Sequence, residues 1–254
     1  MKLLSANLAI SAALFLVARS VSTRLQSRLK QGIGIAITLL SLPSVLYALY
    51  YFHLFDNWSW FYGFRSYELA NFYPATLGLF IGWLLPSISN RFARLLLVCT
   101  ASVLVVVPFL KPLLVPLNAS EFQERWRAGV SLQSTPSTCG PASVATILAN
   151  GFHDTVSERT VAEASYSTGT GTEIWYLGQF LRARGYCVSF HARSKTIMPY
   201  AVAGTRSGGV GHFVAVLDCS NNGCRVADPL VGFVQDSEGV AFTGFYMQIS
   251  KAES

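Results

Sequence analysis

Charge is scarce in this sequence: Asp, Glu, Lys and Arg make up 13% of its 254 residues against 52% apolar ones, and the mean hydropathy is +0.41. So little charge on so much apolar side chain excludes an ordinary soluble domain and makes a lipid membrane one of the expected partners. The Gly-x-x-x-x-Gly-Lys-Ser/Thr loop is missing, which excludes a complete ATP-driven transporter of that kind. Acidic residues are nearly absent from the first 117 positions, which hold 2 Asp/Glu against 9 Lys/Arg, while the remainder holds 11 against 10. The formal charge of +6 thus belongs to the first half, and without a basic patch in the second half no nucleic-acid partner is expected. The segment after residue 130 has no internal repeat and no low-complexity run. No second pair of ligands stands at zinc spacing beside Cys219 and Cys224, so neither metal nor cofactor is expected.

What is present is first of all four apolar stretches, residues 3–18, 33–52, 69–88 and 95–117. Each is close to the length of about 20 residues that spans a hydrocarbon core, so residues 1–117 are expected to form a transmembrane region of four helices. The first stretch could also be a signal-peptide core, but Arg19 sits where cleavage needs a small residue, and the reading is an uncleaved helix. Arg19, Arg24, Arg28 and Lys30 follow the first stretch, and Arg91 and Arg94 follow the third. By the positive-inside rule these connections are cytoplasmic, leaving the second connection and everything after Leu117 outside. The expected location is therefore a multi-pass place in the cell membrane, with an extracytoplasmic C-terminal domain. The second connection, His53 to Glu68, is crowded with aromatics, read as an interfacial belt or else as a docking surface. Pro108, Pro112 and Pro116 are expected to kink or end the fourth helix.

After Leu117 the texture changes. Ser120 and Gln123 stand as a capping box, predicting a juxtamembrane helix within residues 118–130. Residues 131–254 then read as a separate domain. Thr138 is placed to cap a helix starting at Cys139, with Pro141 tolerated in its first turn and Asn150-Gly151 as a stop signal. That puts the sulfur of Cys139 over the positive end of a helix dipole, which favours the nucleophilic thiolate. Gly211 to Leu217 and Cys224 to Ala227 alternate as strands, and Asp218 to Gly223, with Asn221 and Asn222, supplies the turn. Such a hairpin brings His212, at the start of one strand, beside Asp228, at the end of the other. A nucleophile, a base and a carboxylate to orient that base are the parts of a covalent hydrolase. Cys219 and Cys224 flank the same turn and could form a disulfide in an oxidising compartment. Cys187 reads as a core thiol, and His153 and His191 as surface or loop residues.

Gln133, five residues, Cys-Gly-Pro-Ala, then Gly-His-Phe-Val-Ala-Val, then Ala-Asp-Pro resembles the bacteriocin-processing, double-glycine leader peptidases, a papain-like family, over residues 128–250. Thr172 to Tyr186 is similar to that family's middle section. The resemblance implies Gln133 in the oxyanion hole, Cys139 as nucleophile, His212 as general base and Asp228 as the residue orienting it. It implies an α+β domain, with helices from about Cys139 and Thr172 packed on an antiparallel sheet. The expected strands are residues 186–192, 198–203, 211–217, 224–227 and 242–249. Many members are N-terminal parts of exporters, whereas here the matching segment is C-terminal and expected outside. The substrate expectation is an exported or membrane-associated peptide or protein, with an exporter or other membrane protein as possible partner. The alternative is a non-catalytic leader-binding or sensor module on a small membrane transport or assembly factor.

Overall fold

The computed structural model describes residues 2–52, 58–207, 210–220 and 223–251. Its helices in chain order are α1 (Lys2–Arg24), α2 (Ser27–Leu49), α3 (Ser59–Arg65), α4 (Leu77–Leu84), α5 (Arg91–Val106), α6 (Lys111–Leu114), α7 (Cys139–Phe152), α8 (Glu158–Ala164) and α9 (Ile174–Ala183). The strands are β1 (Trp126–Arg127), β2 (Val130–Ser131), β3 (Tyr186–His191), β4 (Ala201–Ser207), β5 (Val210–Ser220), β6 (Gly223–Asp228), β7 (Phe233–Asp236) and β8 (Phe242–Lys251). They group into two compact units, one of Met1–Phe55 with Leu69–Leu113, the other of Asp56–Glu68 with Leu114–Ser254.

In the first unit four helical stretches are long and apolar enough to cross a membrane: Lys2–Arg24, Arg28–Leu49, Glu68–Ser87 and Arg91–Phe109. The first continues past residue 18 because Arg19 and Arg24 end the apolar window but are good helix formers. The fourth starts earlier than expected, where the Asn90 side chain accepts from the N–H groups of Phe92 (2.8 Å) and Ala93 (3.2 Å). It also stops short of residue 117: the helix tightens at Val107–Phe109, around Pro108, and only the short α6 follows. Small residues let α1 and α4 touch, since a Cβ on Gly78 would lie 2.1 Å from Ser11 O and one on Gly82 2.2 Å from Phe15 O. Close backbone approach is the usual way for helices in an apolar solvent to associate. Asn7 adds a hydrogen bond to Asn71 O (3.0 Å) and Ser22 one to Trp83 O (3.0 Å).

The second unit is an α+β structure whose antiparallel sheet runs in the order β3-β8-β4-β5-β6-β7. Ala201, Ala203, Val214, Val216, Val226 and Tyr246 form a buried cluster on it. Neither α8 nor β7 was expected: α8 has only two turns, and β7 is four residues with little burial, too short for a periodic signal. Residues 198–200 precede β4 rather than opening it, because Tyr200 has φ 54°, outside the β region. The turn residues Asn221 and Asn222, and residues 53–57 of the aromatic connection, lie outside the described residues.

The helix expected within 118–130 is not formed. Its cap lies two residues earlier, where the Glu121 carboxylate accepts from the Asn118 backbone N–H (2.7 Å), and the turn ends at Glu121. Positive φ at Glu124 (46°), Ala128 (47°) and Gly129 (79°) breaks the helix, and Trp126-Arg127 pairs instead with Val130-Ser131. Cys187 is also not a core thiol. Val188 and Phe190 take the inward positions of β3, so period-two alternation turns Cys187 outward.

The aromatic connection is only partly an exposed belt. In α3, Phe61 and Tyr62 are buried, and the Tyr62 ring packs on Trp175 (6.1 Å), Phe190 (6.1 Å) and Phe245 (4.8 Å) of the same unit. Arg65 is 1% exposed, its guanidinium 3.7 Å from the Trp175 ring centroid, and Gln179 donates to Arg65 O (2.7 Å). Trp58, Trp60 and Tyr67 remain exposed.

Candidate active site

Cys139 is the first residue of α7, whose apolar face (Ala142, Val144, Ala145, Ile147, Leu148) is fully buried. Gly140 is closely packed: a Cβ there would meet Leu177 of α9 at 3.0 Å and Phe213 of β5 at 3.6 Å. The Ser143 hydroxyl donates to Phe213 O (3.3 Å), so α7 is fixed against the strand that carries His212. Thr138 occupies the N-cap position as expected but does not cap. Its hydroxyl donates back to Thr135 O (3.1 Å) and accepts from the Thr135 N–H (3.1 Å), closing the preceding loop on itself. The first-turn N–H groups, which no helix bond can satisfy, are therefore left uncapped beside the sulfur. The C-terminal end runs past Asn150-Gly151 to Phe152, with His153 in the left-handed region (φ 56°) as the cap.

His212 and Asp228 come together through β5 and β6. Ala215 faces Ala227 and Cys219 faces Cys224, with a register shift between Val216 and Asp218. His212 Nε2 then lies 2.8 Å from Asp228 Oδ1, the side chains 10% and 19% exposed. Cys139, which is buried, lies close enough to act on the charge of the ring. With Nε2 on the carboxylate, Nδ1 is the nitrogen left for sulfur. Asp228 Oδ1 accepts a second bond, from the Leu230 N–H (2.8 Å), so the carboxylate is held from two sides.

Burial of the imidazole works against its charge, but hydrogen bonds to Asp228 and Cys139 and the negative charge of both outweigh it. The pKa of His212 is held up at about 9. For Asp228 burial acts upward, yet the bonds from His212 and the Leu230 N–H and the imidazolium charge keep the carboxyl below its usual range. Each partner stabilises the charged form of the other, so the two titrate as a pair.

Gln133 lies in the loop before α7. Its backbone N–H donates to Pro229 O (2.9 Å), next to Asp228, and its Nε2 donates to Thr135 O (3.0 Å). Its Oε1 is buried and finds no hydrogen-bond partner among the described residues. Cys219 and Cys224, opposite each other on β5 and β6, are bonded. No group of three or more His, Cys, Asp or Glu that could hold a metal occurs among the described residues. His191 stacks on Tyr246 (4.5 Å between centroids), and His153 is an exposed cap; the structure brings neither to Cys139.

One buried acid near this loop has no counterpart in the sequence reading. Glu158, at the start of α8, accepts from the Ser134 N–H (2.8 Å) and the Ser134 hydroxyl (2.5 Å). A lone Glu after Ser157 looks like any helix start, so only the fold reveals it.

No protein-family model and no curated protein sequence matches the chain. Among solved structures, the peptidase domain of Streptococcus ComA, a bi-functional ABC transporter involved in quorum sensing, is 18% identical. It covers 48% of this chain and 98% of its own, with a TM-score of 0.41. The peptidase domain of Streptococcus mutans ComA is 16% identical over 48% of this chain and 98% of that one, TM-score 0.36. A double glycine motif protease from an AMS/PCAT transporter, solved in complex with the leader peptide, is 20% identical over 50% of this chain and 96% of its own, TM-score 0.41. The neighbours of about half of this chain are thus peptidase domains of ABC transporters, at identities of 16–20%.

Proposed function

We propose that this protein is a membrane-anchored cysteine peptidase that cleaves a bond in an exported or membrane-associated peptide or protein. The observation that carries the reading is His212, hydrogen-bonded to Asp228 at 2.8 Å, with the buried Cys139 close enough to raise its pKa. In this scheme His212 takes the thiol proton and the Cys139 thiolate attacks the scissile carbonyl. The Gln133 amide and the Cys139 N–H hold the oxyanion, each donor worth on the order of 3 kcal/mol. As the C–N bond breaks, imidazolium gives its proton to the leaving amine, which departs and leaves a thioester. Water, deprotonated by His212, then attacks the thioester; the acid product leaves and the thiolate returns. A pKa of about 9 keeps His212 charged at neutral pH, which suits the proton donor of the first half of this cycle.

In the same reading residues 1–117 form the membrane region and residues 131–254, joined by α3, the peptidase. Two candidate spans, Glu68–Ser87 and Arg91–Phe109, separate α3 from Leu114. An even number of crossings returns the chain to the same face, so the grouping of Asp56–Glu68 with Leu114–Ser254 supports a four-helix topology. The loop charges and the Cys219–Cys224 bond support an extracytoplasmic site.

The test is a comparison of secreted and membrane peptides from cells carrying wild type or Cys139→Ala. The reading expects a longer precursor to accumulate with Cys139→Ala. Identical peptide sets together with an intact cellular phenotype would favour the non-catalytic binder.

A further inference from the structure

Glu158 is 1% exposed, and burying a carboxylate is costly unless hydrogen bonds replace its water. Both oxygens are used on one residue: Oε1 accepts from the Ser134 N–H (2.8 Å) and Oε2 from the Ser134 hydroxyl (2.5 Å). The same Ser134 oxygen accepts from the Gln123 N–H (2.9 Å). Ser134 is the residue after Gln133. The loop on either side is fixed by other means: Ser131 N–H donates to Thr146 of α7 (2.9 Å), Gln133 N–H to Pro229 O (2.9 Å), and Thr138 closes onto Thr135. Glu158 therefore clamps the middle of the segment whose side chain at 133 has to meet a developing oxyanion. A carboxylate makes this clamp better than any neutral group, because it accepts at both oxygens and competes for no donor.

We propose that Glu158 is a positioning residue for the oxyanion hole, holding the 133–135 loop through Ser134 so that the Gln133 amide is presented correctly. The inference rests on the reading of Gln133 given above. Oxyanion donors act only when preorganised, and a displacement of about 1 Å costs on the order of 10²-fold in rate. Glu158 touches no reacting atom; its effect passes entirely through Ser134.

The experiment uses the full-length protein and two reactions of the same thiol. Hydrolysis of the p-nitrophenyl ester of a blocked dipeptide needs the oxyanion hole. Alkylation of Cys139 by iodoacetamide displaces iodide at a saturated carbon and needs only the thiolate. Glu158→Ala is expected to lower kcat/KM for the ester about 10²-fold while the alkylation rate constant stays within about twofold. Glu158→Gln should recover most of the loss, because its amide oxygen still accepts the Ser134 N–H and its NH₂ donates to the hydroxyl. Glu158→Ala with Gln133→Ala should be no slower than Gln133→Ala alone, since both act on one group. If Glu158→Ala does not fold, Ser134→Ala removes one of the two bonds and is expected to lose about 10-fold on the ester only. Parallel loss of both reactions, additivity with Gln133→Ala, or unchanged ester hydrolysis in Glu158→Ala would overturn the proposal. If Gln133→Ala itself hydrolyses the ester normally, the oxyanion reading falls and this inference with it. If Gln133→Ala is impaired and Glu158→Ala is not, this inference falls alone.

Discussion

His212 Nε2 and Asp228 Oδ1 stand 2.8 Å apart although sixteen residues of chain separate them, because β5 and β6 fold back on each other between the two. The carboxylate is also held by the Leu230 N–H, so neither partner is free to turn away. An imidazole fixed in this way keeps Nε2 on the carboxylate and leaves its second nitrogen for another partner.

Replacing Asp228 by Asn keeps the shape but removes the charge that supports imidazolium. Ester hydrolysis should fall by about 10²–10⁴-fold. In wild type the alkaline limb of kcat/KM should lie near pH 9, where His212 loses its proton, and in Asp228→Asn it should move toward neutral pH. A pH–rate profile of the two proteins checks this.

The same pair makes stability pH-dependent. The folded pKa of His212, about 9, lies above its ordinary value of 6.5, so its contribution is fully present below about pH 6.5 and is lost as pH rises through about 9. The most it can supply is about 3 kcal/mol, because Cys139 is coupled to it. For Asp228, whose folded pKa is lowered, the contribution is present above the usual carboxylate range and is lost in acid. Thermal midpoints between pH 6 and pH 10 should show the alkaline loss, and in Cys139→Ser the loss should be smaller and complete at lower pH.

Arg65 belongs to the fold of the second unit. Buried and stacked on Trp175 at 3.7 Å, it should cost about 2 kcal/mol or more when changed to Ala, whereas Trp60→Ala, at an exposed position, should be nearly neutral. The fall in thermal midpoint of full-length protein measures the difference.

The Cys219–Cys224 bond closes a short loop and should add only about 2 kcal/mol by chain entropy. Alkylation without reductant should therefore spare these two cysteines and mark Cys187, which is exposed. After reduction both should be marked, and a reduced sample that is not alkylated should largely keep its esterase activity. Fusing a reporter active only outside the cytoplasm after Ser254 should give signal.

The parts of the site legible in the sequence are those set by short-range pattern. Alternation over Gly211 to Leu217 and the Gly and Asp residues around it announce β5 and β6, and Cys139-Gly-Pro141 marks the start of α7. Long-range packing left no such trace. The partners of Tyr62 and Arg65 are more than 100 residues away in α9 and β8, so α3 looked like a belt of aromatics. The outward place of Cys187 is not legible locally, because a cysteine in a strand is apolar enough for either face and only the burial of Val188 and Phe190 decides which face is inward. Glu158 was invisible because nothing local distinguishes a clamping acid from an ordinary one in a first helical turn.

In the proposed reaction the Cys139 sulfur attacks a carbonyl with His212 as its proton partner. Mixing full-length protein with excess p-nitrophenyl ester and quenching in acid at early times should trap an acyl adduct, located by peptide mass mapping. One acyl group is expected on Cys139, forming in a burst of p-nitrophenol, absent in Cys139→Ala and slowed at least about 10²-fold in His212→Ala. Folded protein without an adduct at Cys139, or acylation that proceeds equally in His212→Ala, would contradict it.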